Sequence, residues 1–169
     1  MIDYGYTDRA GRRVVLREIG DENWRAVADV VPLDDQRAHV PPSAARYLLL
    51  SSREDVWNSL AVEAGGTVVG HVMWAREEES GSYWIGGMLI DGAEQGAGAG
   101  RAAVRSLVRW LAGRADCETI RLSYAPENTA AGRLYTSLGF RDSGVVEDGE
   151  VVALLAAREV AADGSPASA

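Results

Sequence analysis

The stretch from residue 82 to 112 constrains the fold most, because a run of alternating glycines joins a strand pattern to a helix pattern. The apolar run YWIGGMLI has the composition of a strand. Behind the glycines, apolar residues recur with helical spacing at Val104, Leu107, Val108 and Leu111. A glycine-rich turn that opens a helix can direct several backbone amides at one anion. The stretch therefore predicts a mixed α/β domain with a phosphate-binding turn.

The segments on either side extend this α/β pattern. Strands are predicted at 13–19, in a hairpin of SLAVE and TVVGHVMWA that turns at Gly65 and Gly66, at 119–124, at 140–147 and at 151–156. Helices are predicted near 21–30, capped by Asp21 and packed through Trp24 and Val27, and at 43–50 and 129–138. The length suits one domain over residues 1–159, and residues 160–169 have the composition of a disordered tail.

Charge and composition exclude several classes of function. The net charge of −8 repels nucleic acid and anionic lipid, so we expect neither nucleic acid nor a membrane as partner. No signal-peptide pattern and no run of about 20 apolar residues is present, which predicts a cytoplasmic protein. With Cys117 as the only cysteine, and His39 and His71 as the only histidines, we expect no metal site.

The glycine run Gln95-Gly96-Ala97-Gly98-Ala99-Gly100 has four interpretations. A Walker-type loop needs Lys and then Ser or Thr after its last glycine, where this chain has Arg101-Ala102. A dinucleotide fingerprint needs its third glycine one residue later and normally opens the first βαβ unit. The pattern Q-x-x-G-x-G fits a turn whose amides bind a pyrophosphate, and a turn without a ligand is the fourth interpretation.

A second segment, LSYAPENTAAGRLYTSLGF at residues 122–140, bears on that choice. Asn128 is placed to cap a helix, and Gly139 to end it in a left-handed conformation. Taken alone, Tyr135 reads as a core tyrosine and Asn128 as an ordinary cap.

The two motifs together, Q-x-x-G-x-G and N-x-x-A-x-x-L-Y-x-x-L-G-F, resemble the GNAT superfamily of acetyl-CoA-dependent N-acetyltransferases. The resemblance covers roughly residues 10–158. It implies a central mixed, mostly antiparallel sheet of about seven strands, flanked by about four helices and splayed between strands 4 and 5. WIGGMLID, LSYAPEN and EDGEVVALL are similar to the bacterial spermine/spermidine (diamine) acetyltransferases.

The resemblance implies a role for each matching position. Backbone groups of Met88, Leu89 and Ile90 would bind the pantetheine arm of acetyl-CoA. The pyrophosphate would be held by the turn of Gln95, Gly96, Ala97, Gly98, Ala99, Gly100 and Arg101. Asn128 and Ala131 would contact the cofactor, with Tyr135 beside the thioester sulfur. The chain departs from the family at Ala97, where such loops often carry a basic residue, and at Gly87, where diamine-type enzymes often have arginine.

The chemistry of acetyl transfer assigns further roles. A tyrosine with a pKa of about 10 can protonate a departing thiolate, which makes Tyr135 the expected general acid. The amine can attack directly with both substrates bound, so no acyl-enzyme is needed. Its proton must pass to a carboxylate or a water chain, and the candidates for binding the cationic amine or accepting that proton are Asp34, Asp35, Glu147 and Glu150. Trp84 can stack on an alkylammonium chain or serve in the core.

The expected acceptor is a small cationic amine, above all a polyamine such as spermidine. An amine antibiotic or a protein amine is the alternative within the same chemistry, and a non-catalytic acyl-CoA-binding module is the alternative outside it. A homodimer is among the assemblies open to the chain.

Overall fold

The structure, a computed structural model, describes residues 1–162. The strands are β1 Val14–Glu18, β2 Asn58–Ala64, β3 Thr67–Glu77, β4 Ser82–Ile90, β5 Thr119–Tyr124, β6 Arg141–Glu147 and β7 Glu150–Ala156. The helices are α1 Trp24–Ala28, α2 Ala45–Arg53, α3 Ala99–Ala112, α4 Thr129–Ser137 and α5 Ala157–Ala162. One sheet has the order β1-β2-β3-β4-β5-β7-β6, and β4 runs parallel to β5. The predicted mixed sheet of seven strands is confirmed, while the opening between the fourth and fifth strands stays a prediction.

The backbone divides into two compact units. The first contains Met1–Ala75 and Ile85–Leu107, and the second contains Arg76–Trp84 and, of the described chain, residues 108–162. Because the boundary falls inside β3, β4 and α3, these three elements supply residues to both units. The assignment of residues 1–159 to one domain stays a prediction.

In the first unit, β1, β2 and β3 form an antiparallel ladder. Val14 pairs with Ala64 in β2, and Ala61 pairs with His71 in β3. The predicted hairpin turn is confirmed, since Gly65 and Gly66 have φ angles of 61° and 85°, which suit glycine. Val27, Val30, Ala44, Ala61 and Leu89 form a buried cluster behind this ladder.

The start of α1 differs from the sequence expectation. The residue before the helix is Asn23 rather than Asp21, and its side chain does not cap the first turn. Instead, the Asn23 amide donates to the Glu18 carbonyl while its oxygen accepts from the Gly20 N–H. Trp24, expected on the packed face, is 40% exposed, whereas Val27 is fully buried. Asn23 therefore ties the end of β1 to α1, and the short helix packs mainly through Val27.

In the second unit, β5, β7 and β6 form an antiparallel ladder. β6 and β7 are joined by Asp148 and Gly149, whose φ angles of 49° and 85° suit a tight hairpin turn. The cap of α4 is as predicted, because the Asn128 oxygen accepts from the Ala131 N–H at 3.1 Å. Gly139 follows the helix with a φ of 96°. Local capping signals therefore set both ends of α4.

The end of the described chain adds an element that the sequence did not predict. Residues 160–162 of the predicted tail belong to α5, and residues 163–169 lie outside the described residues. Within residues 1–162, no helix is both long and apolar enough to cross a membrane.

Candidate active site

The middle of β4 carries a glycine pair that interrupts a regular strand. Gly87 has a φ of 56°, in the left-handed region, and Gly86 precedes it. A Cβ at Gly86 would lie 3.0 Å from the Trp57 ring, and one at Gly87 would lie 3.1 Å from the His71 ring. Both glycines are half-buried. Their backbone is therefore packed against side chains in the first unit, yet it keeps some exposure to a ligand. A glycine pair of this kind is typical of positions where backbone and ligand approach closely.

The glycine-rich turn follows β4 directly in the first unit. Gly96 and Gly98 have φ angles of 79° and 91°, so only glycine suits these positions without strain. A Cβ at Gly100 would lie 3.3 Å from the Met88 and Ile90 side chains. The structure thus brings together the turn and the last residues of β4, two sets of positions that the resemblance assigns to acetyl-CoA.

Gln95 fastens the turn to its surroundings. Its side-chain Nε2 donates to the Ile90 carbonyl at 2.9 Å and to Gln36 Oε1 at 2.7 Å. Gln36 Nε2 donates back to Gln95 Oε1 at 2.8 Å. Both ends of the Gln95 amide are thus hydrogen-bonded within the protein. Its contribution at this site is to fix the turn against the end of β4.

Arg9 is a cationic residue at the turn that sequence reasoning missed. Its backbone N–H donates to the Ala97 carbonyl at 2.7 Å, and its Nη1 donates to the Gly96 carbonyl at 3.0 Å. Asp8 Oδ1 accepts from the Ala10 and Arg12 N–H groups, which holds this N-terminal loop in place. The loop therefore brings an exposed guanidinium beside Ala97, where the family often has a basic residue. No signal in the sequence pairs positions 87 residues apart.

The start of α3 suits an anion. The first turn of the helix, beginning at Ala99, contains no acidic residue. The first N–H groups of a helix lack partners inside it and favour negative charge nearby. Arg105, one turn on, lies with its guanidinium carbon 4.3 Å from the centre of the Tyr6 ring. The turn and helix start thus combine backbone donors with nearby arginines.

His71 is a second residue that sequence reasoning missed. It lies on β3, is fully buried, and touches the backbone of Gly87. Burial lowers the pKa of His71 from 6.5 to about 4, so the ring is neutral at neutral pH. A lone histidine inside the apolar run TVVGHVMWA was the only available signal.

The second unit contains the predicted acid. Tyr135 lies on α4 and is 8% exposed. Its ring centre is 5.7 Å from that of Tyr124 and 6.0 Å from that of Phe140. Ala131 lies one turn before Tyr135 on this helix, and Asn128 lies about two turns before it, where its side chain caps the helix by accepting from the Ala131 N–H. The helix spacing therefore brings these three predicted positions into one segment, with the Tyr135 ring among aromatic neighbours.

The predicted amine-binding residues fall into both units. Glu147 and Glu150 are cross-strand partners beside the β6–β7 turn, and Glu150 accepts from the Ser123 hydroxyl. Trp84, in the second unit, is half-buried, and the Arg121 guanidinium lies 5.8 Å from its ring centre. Asp35 lies in the first unit, in an exposed short helical turn, Asp34–Gln36. The structure thus brings Glu147 and Glu150 together. The Trp84 ring has the Arg121 guanidinium as a cationic neighbour within the protein.

Within residues 1–162, no group of three or more His, Cys, Asp or Glu side chains is arranged to hold an ion.

A comparison with protein-family models decides the family. The model described as "Acetyltransferase (GNAT) family" matches residues 17–140. The chain belongs to the acetyltransferase (GNAT) family. This acetyltransferase is therefore an acyltransferase enzyme, as the paired motifs predicted.

Individual relatives of this GNAT protein differ in their acceptors. It is 26% identical over 145 residues to a spermine/spermidine N(1)-acetyltransferase of Bacillus subtilis, covering 81% of this chain and 94% of the relative. It is 27% identical over 147 residues to an aminoglycoside N(6')-acetyltransferase type 1 of Klebsiella pneumoniae, covering 83% and 70%. A spermidine N-acetyltransferase from Vibrio cholerae, solved with CoA and spermine, has the same fold at a TM-score of 0.68 and 17% identity, covering 87% and 97%.

Proposed function

We propose that this GNAT protein transfers an acetyl group from acetyl-CoA to a primary amine of a small cationic substrate, above all a polyamine such as spermidine. The amine attacks the thioester directly while both substrates are bound. The observation that carries the proposal is the glycine-rich turn. It is fastened to the end of β4, supplied with Arg9, and followed by a helix start without acidic residues. Such a turn suits a diphosphate, and the adjoining end of β4 suits the pantetheine chain that is joined to the diphosphate.

The cofactor roles follow from these elements. Backbone groups of Met88, Leu89 and Ile90 bind the pantetheine arm, and the turn Gln95–Arg101 binds the pyrophosphate. Asn128 and Ala131 contact the cofactor through the start of α4. Support for acetyl-CoA as the donor comes from the family and from the CoA in the solved relative.

Tyr135 is the proposed general acid. A tyrosine hydroxyl, with a pKa of about 10 in model peptides, is comparable in basicity to a thiolate leaving group and can protonate it. Support comes from its place on α4, where it is shielded from water at 8% exposure. Shielding from water strengthens electrostatic interactions at the reacting atoms.

The acceptor assignment is supported by the acidic character of the chain. Glu147 and Glu150 face each other across a hairpin, with Asp148 in the turn between them. Like charges in directly opposite positions repel, and a cationic substrate relieves that repulsion. We assign Glu147 and Glu150, with Asp35 and Trp84, to amine binding. The net charge of −8 supports a cationic small molecule, rather than nucleic acid or a membrane, as partner of a cytoplasmic enzyme.

An amine panel tests the acceptor. The assay measures the free thiol that is released from acetyl-CoA. The acceptor is spermidine, kanamycin or a short peptide with a free N-terminus. We expect the largest kcat/KM for spermidine. Turnover with spermidine no faster than background hydrolysis would overturn the polyamine assignment, and a larger kcat/KM for kanamycin would favour the aminoglycoside relatives' chemistry.

The role of Tyr135 is tested by Tyr135→Phe. Loss of a general acid lowers kcat by about 100-fold or more, while the affinity for acetyl-CoA is unchanged. Tyr124→Phe is the matched control, because Tyr124 packs against α4 and its hydroxyl has no assigned role. Equal kcat in wild type and Tyr135→Phe would remove the assignment.

A non-catalytic acyl-CoA-binding module is the other candidate, and it shares the cofactor site. Acetyl-CoA at about 100 times its dissociation constant should stabilise the fold by about 2.7 kcal/mol. A shift of melting temperature without turnover on any amine would favour the module. The absence of any shift would contradict both functions.

A further inference from the structure

A buried hydrogen-bonded chain runs from α2 to β4 in the first unit. His71 Nδ1 lies 2.7 Å from the Gly87 carbonyl, and His71 Nε2 lies 2.9 Å from Ser59 Oγ. Ser59 Oγ lies 2.8 Å from Ser51 Oγ on α2. The register of the sheet explains the cluster, because Ala61 pairs with His71 and Ser59 is two residues from Ala61 on the same face of β2.

The direction of these hydrogen bonds follows from their chemistry. A carbonyl only accepts, so the hydrogen of the neutral ring must be on Nδ1, which donates to Gly87. Nε2 is then the acceptor and receives the Ser59 hydroxyl. Because the Ser59 hydrogen is used at Nε2, Ser59 Oγ accepts at 2.8 Å the one hydrogen of the Ser51 hydroxyl, in competition with the Leu48 carbonyl at 3.1 Å. Each member of the cluster thus has a partner in this one tautomer, which fixes the ring.

Packing fixes the imidazole further. The Tyr47 ring, one turn before Ser51 on α2, stacks on His71 with centres 5.4 Å apart and planes 5° from parallel. A Cβ at Gly87 would lie 3.1 Å from His71 Cε1 and from Met73 Cγ. The imidazole is therefore held by neighbours on its face and at both ring nitrogens.

The Gly87 carbonyl belongs to the same planar peptide group as the Met88 N–H. In a trans peptide, these two groups point in opposite directions and rotate together. No cis peptide bond occurs among the described residues. With the carbonyl held at His71, the Met88 N–H is directed away from the buried cluster, and the left-handed φ of 56° at Gly87 is kept.

We propose that His71 is a positioning residue for acetyl transfer, which through Gly87 aims the Met88 N–H at the thioester carbonyl of acetyl-CoA. This inference rests on the proposed function. A donor aimed before the reaction stabilises the oxyanion without a cost of reorganisation. His71 itself touches neither substrate, and its effect passes through one peptide group.

Two substitutions of His71 test the roles of its two ring nitrogens separately. The amide nitrogen of His71→Asn reaches the position of Nδ1 and keeps the donor to Gly87, whereas the longer His71→Gln reaches toward Ser59. We expect His71→Gln to lower kcat by about 10- to 100-fold, since loss of an oxyanion donor costs about 100- to 1000-fold and a misaimed one costs less. The KM for the amine and the dissociation constant of CoA should change less than about 2-fold. His71→Asn should restore kcat to within about 3-fold of wild type.

Ser59→Ala is the control for a general packing effect. It removes the partner of Nε2 but leaves the bond to Gly87, so we expect a lower melting temperature with kcat within about 3-fold of wild type. Unchanged kcat in His71→Gln, or an equal loss in Ser59→Ala and His71→Gln, would overturn the proposal. If the wild type neither binds nor turns over acetyl-CoA, the proposed function itself has failed.

A measurement on the wild type keeps the proposal testable if His71→Gln does not fold. Nitrogen NMR of the imidazole distinguishes the two neutral tautomers. We expect the hydrogen on Nδ1. A ring with its hydrogen on Nε2 has no donor for the Gly87 carbonyl, and that result would overturn the proposal.

Discussion

Two glycine pairs in the first unit have opposite surroundings. In the middle of β4, Gly86 and Gly87 are enclosed: a Cβ at Gly86 would lie 3.0 Å from Trp57, and one at Gly87 would lie 3.1 Å from His71. In the turn, a Cβ at Gly96 would meet no atom within 4 Å beyond its chain neighbours, and one at Gly98 would meet only Arg9, at 3.5 Å or more. The resemblance assigns Gly96 and Gly98 to acetyl-CoA, and Gly86 and Gly87 directly precede the pantetheine positions Met88, Leu89 and Ile90.

The difference shows two ways of presenting backbone to a ligand. Gly87 combines a left-handed φ with close contacts, so side-chain packing determines its conformation. Gly96 and Gly98 need their φ angles but have open space. The turn is held instead by hydrogen bonds from the Arg9 backbone N–H to Ala97 and from the Gln95 side chain to Ile90. We infer that the middle of β4 is preorganised by packing in the core, and the glycine-rich turn by a few hydrogen bonds.

The largest expected effect is a loss of stability on replacing Gly87 by alanine. Comparison with Gly96 separates the cost of close packing from the cost of a left-handed φ. Gly87→Ala should lower the free energy of unfolding by about 2 to 5 kcal/mol, combining about 1–2 for a left-handed alanine with about 1–3 for overpacking. Gly96→Ala should cost only the first part, about 1–2 kcal/mol. Denaturant unfolding of the two variants measures both. Equal losses would show that the enclosed and open pairs do not differ as described.

The second effect is a pH dependence that belongs to the enclosed pair. Because burial lowers the pKa of His71 from 6.5 to about 4, the unfolded chain takes up a proton at a pH where the folded chain does not. The contribution of neutral His71 to the free energy of unfolding is therefore fully present above pH 6.5 and is lost as the pH falls through about 4. The loss amounts to about 3 kcal/mol.

His71→Asn isolates this contribution from that of the carboxylates. The free energy of unfolding of both proteins is measured from pH 7 to pH 4. The decrease over this range should be about 3 kcal/mol smaller for His71→Asn than for wild type. Parallel curves for the two proteins would mean that burial does not hold the ring neutral, and the preorganisation of Gly87 would lose its main support.

The sequence predicted the parts of the fold that local signals determine. β5 was placed at Thr119–Tyr124 residue for residue, and the Asn128 cap and left-handed Gly139 are as expected. Caps, turns and periodicity act within a few residues, so the pattern alone contains them. The start of α1 was placed wrongly because Asn23 bonds to Glu18 instead of capping. That competition between partners depends on where β1 ends.

The contacts that hold the candidate site could not be predicted from the sequence. His71 meets Gly87 through pairing of strands, and Arg9 meets Gly96 across 87 residues of chain. The first of these contacts depends on the register between paired strands. The register of β2 against β3 shifts at an irregularity between Val62 and Glu63. A one-residue change of register moves every side chain to the other face of a sheet. The motifs therefore indicated the donor site but not the residues that support it.

The smallest expected effect concerns the open turn and Arg9. Because the Arg9 guanidinium lies at the Gly96 carbonyl, it can pair with a phosphate held by the turn. Arg9→Ala should weaken CoA binding by about 5- to 10-fold, which corresponds to about 1 kcal/mol for an exposed charge. Isothermal titration with CoA at low and high salt measures it, and the variant should show less salt dependence than wild type.

Two comparisons distinguish pairing with the phosphate from general ordering of the turn. Arg13→Ala removes another exposed arginine of the N-terminal segment, one whose partner is Asp3, and should leave CoA affinity unchanged. Acetyl-pantetheine lacks the diphosphate, so Arg9→Ala should turn it over with the same kcat/KM as wild type. If Arg9→Ala impairs both donors equally, Arg9 acts by shaping the turn and the end of β4, since the missing charge has nothing to bind in acetyl-pantetheine. In that case the open turn, like Gly87 in β4, is held in place by a supporting side chain.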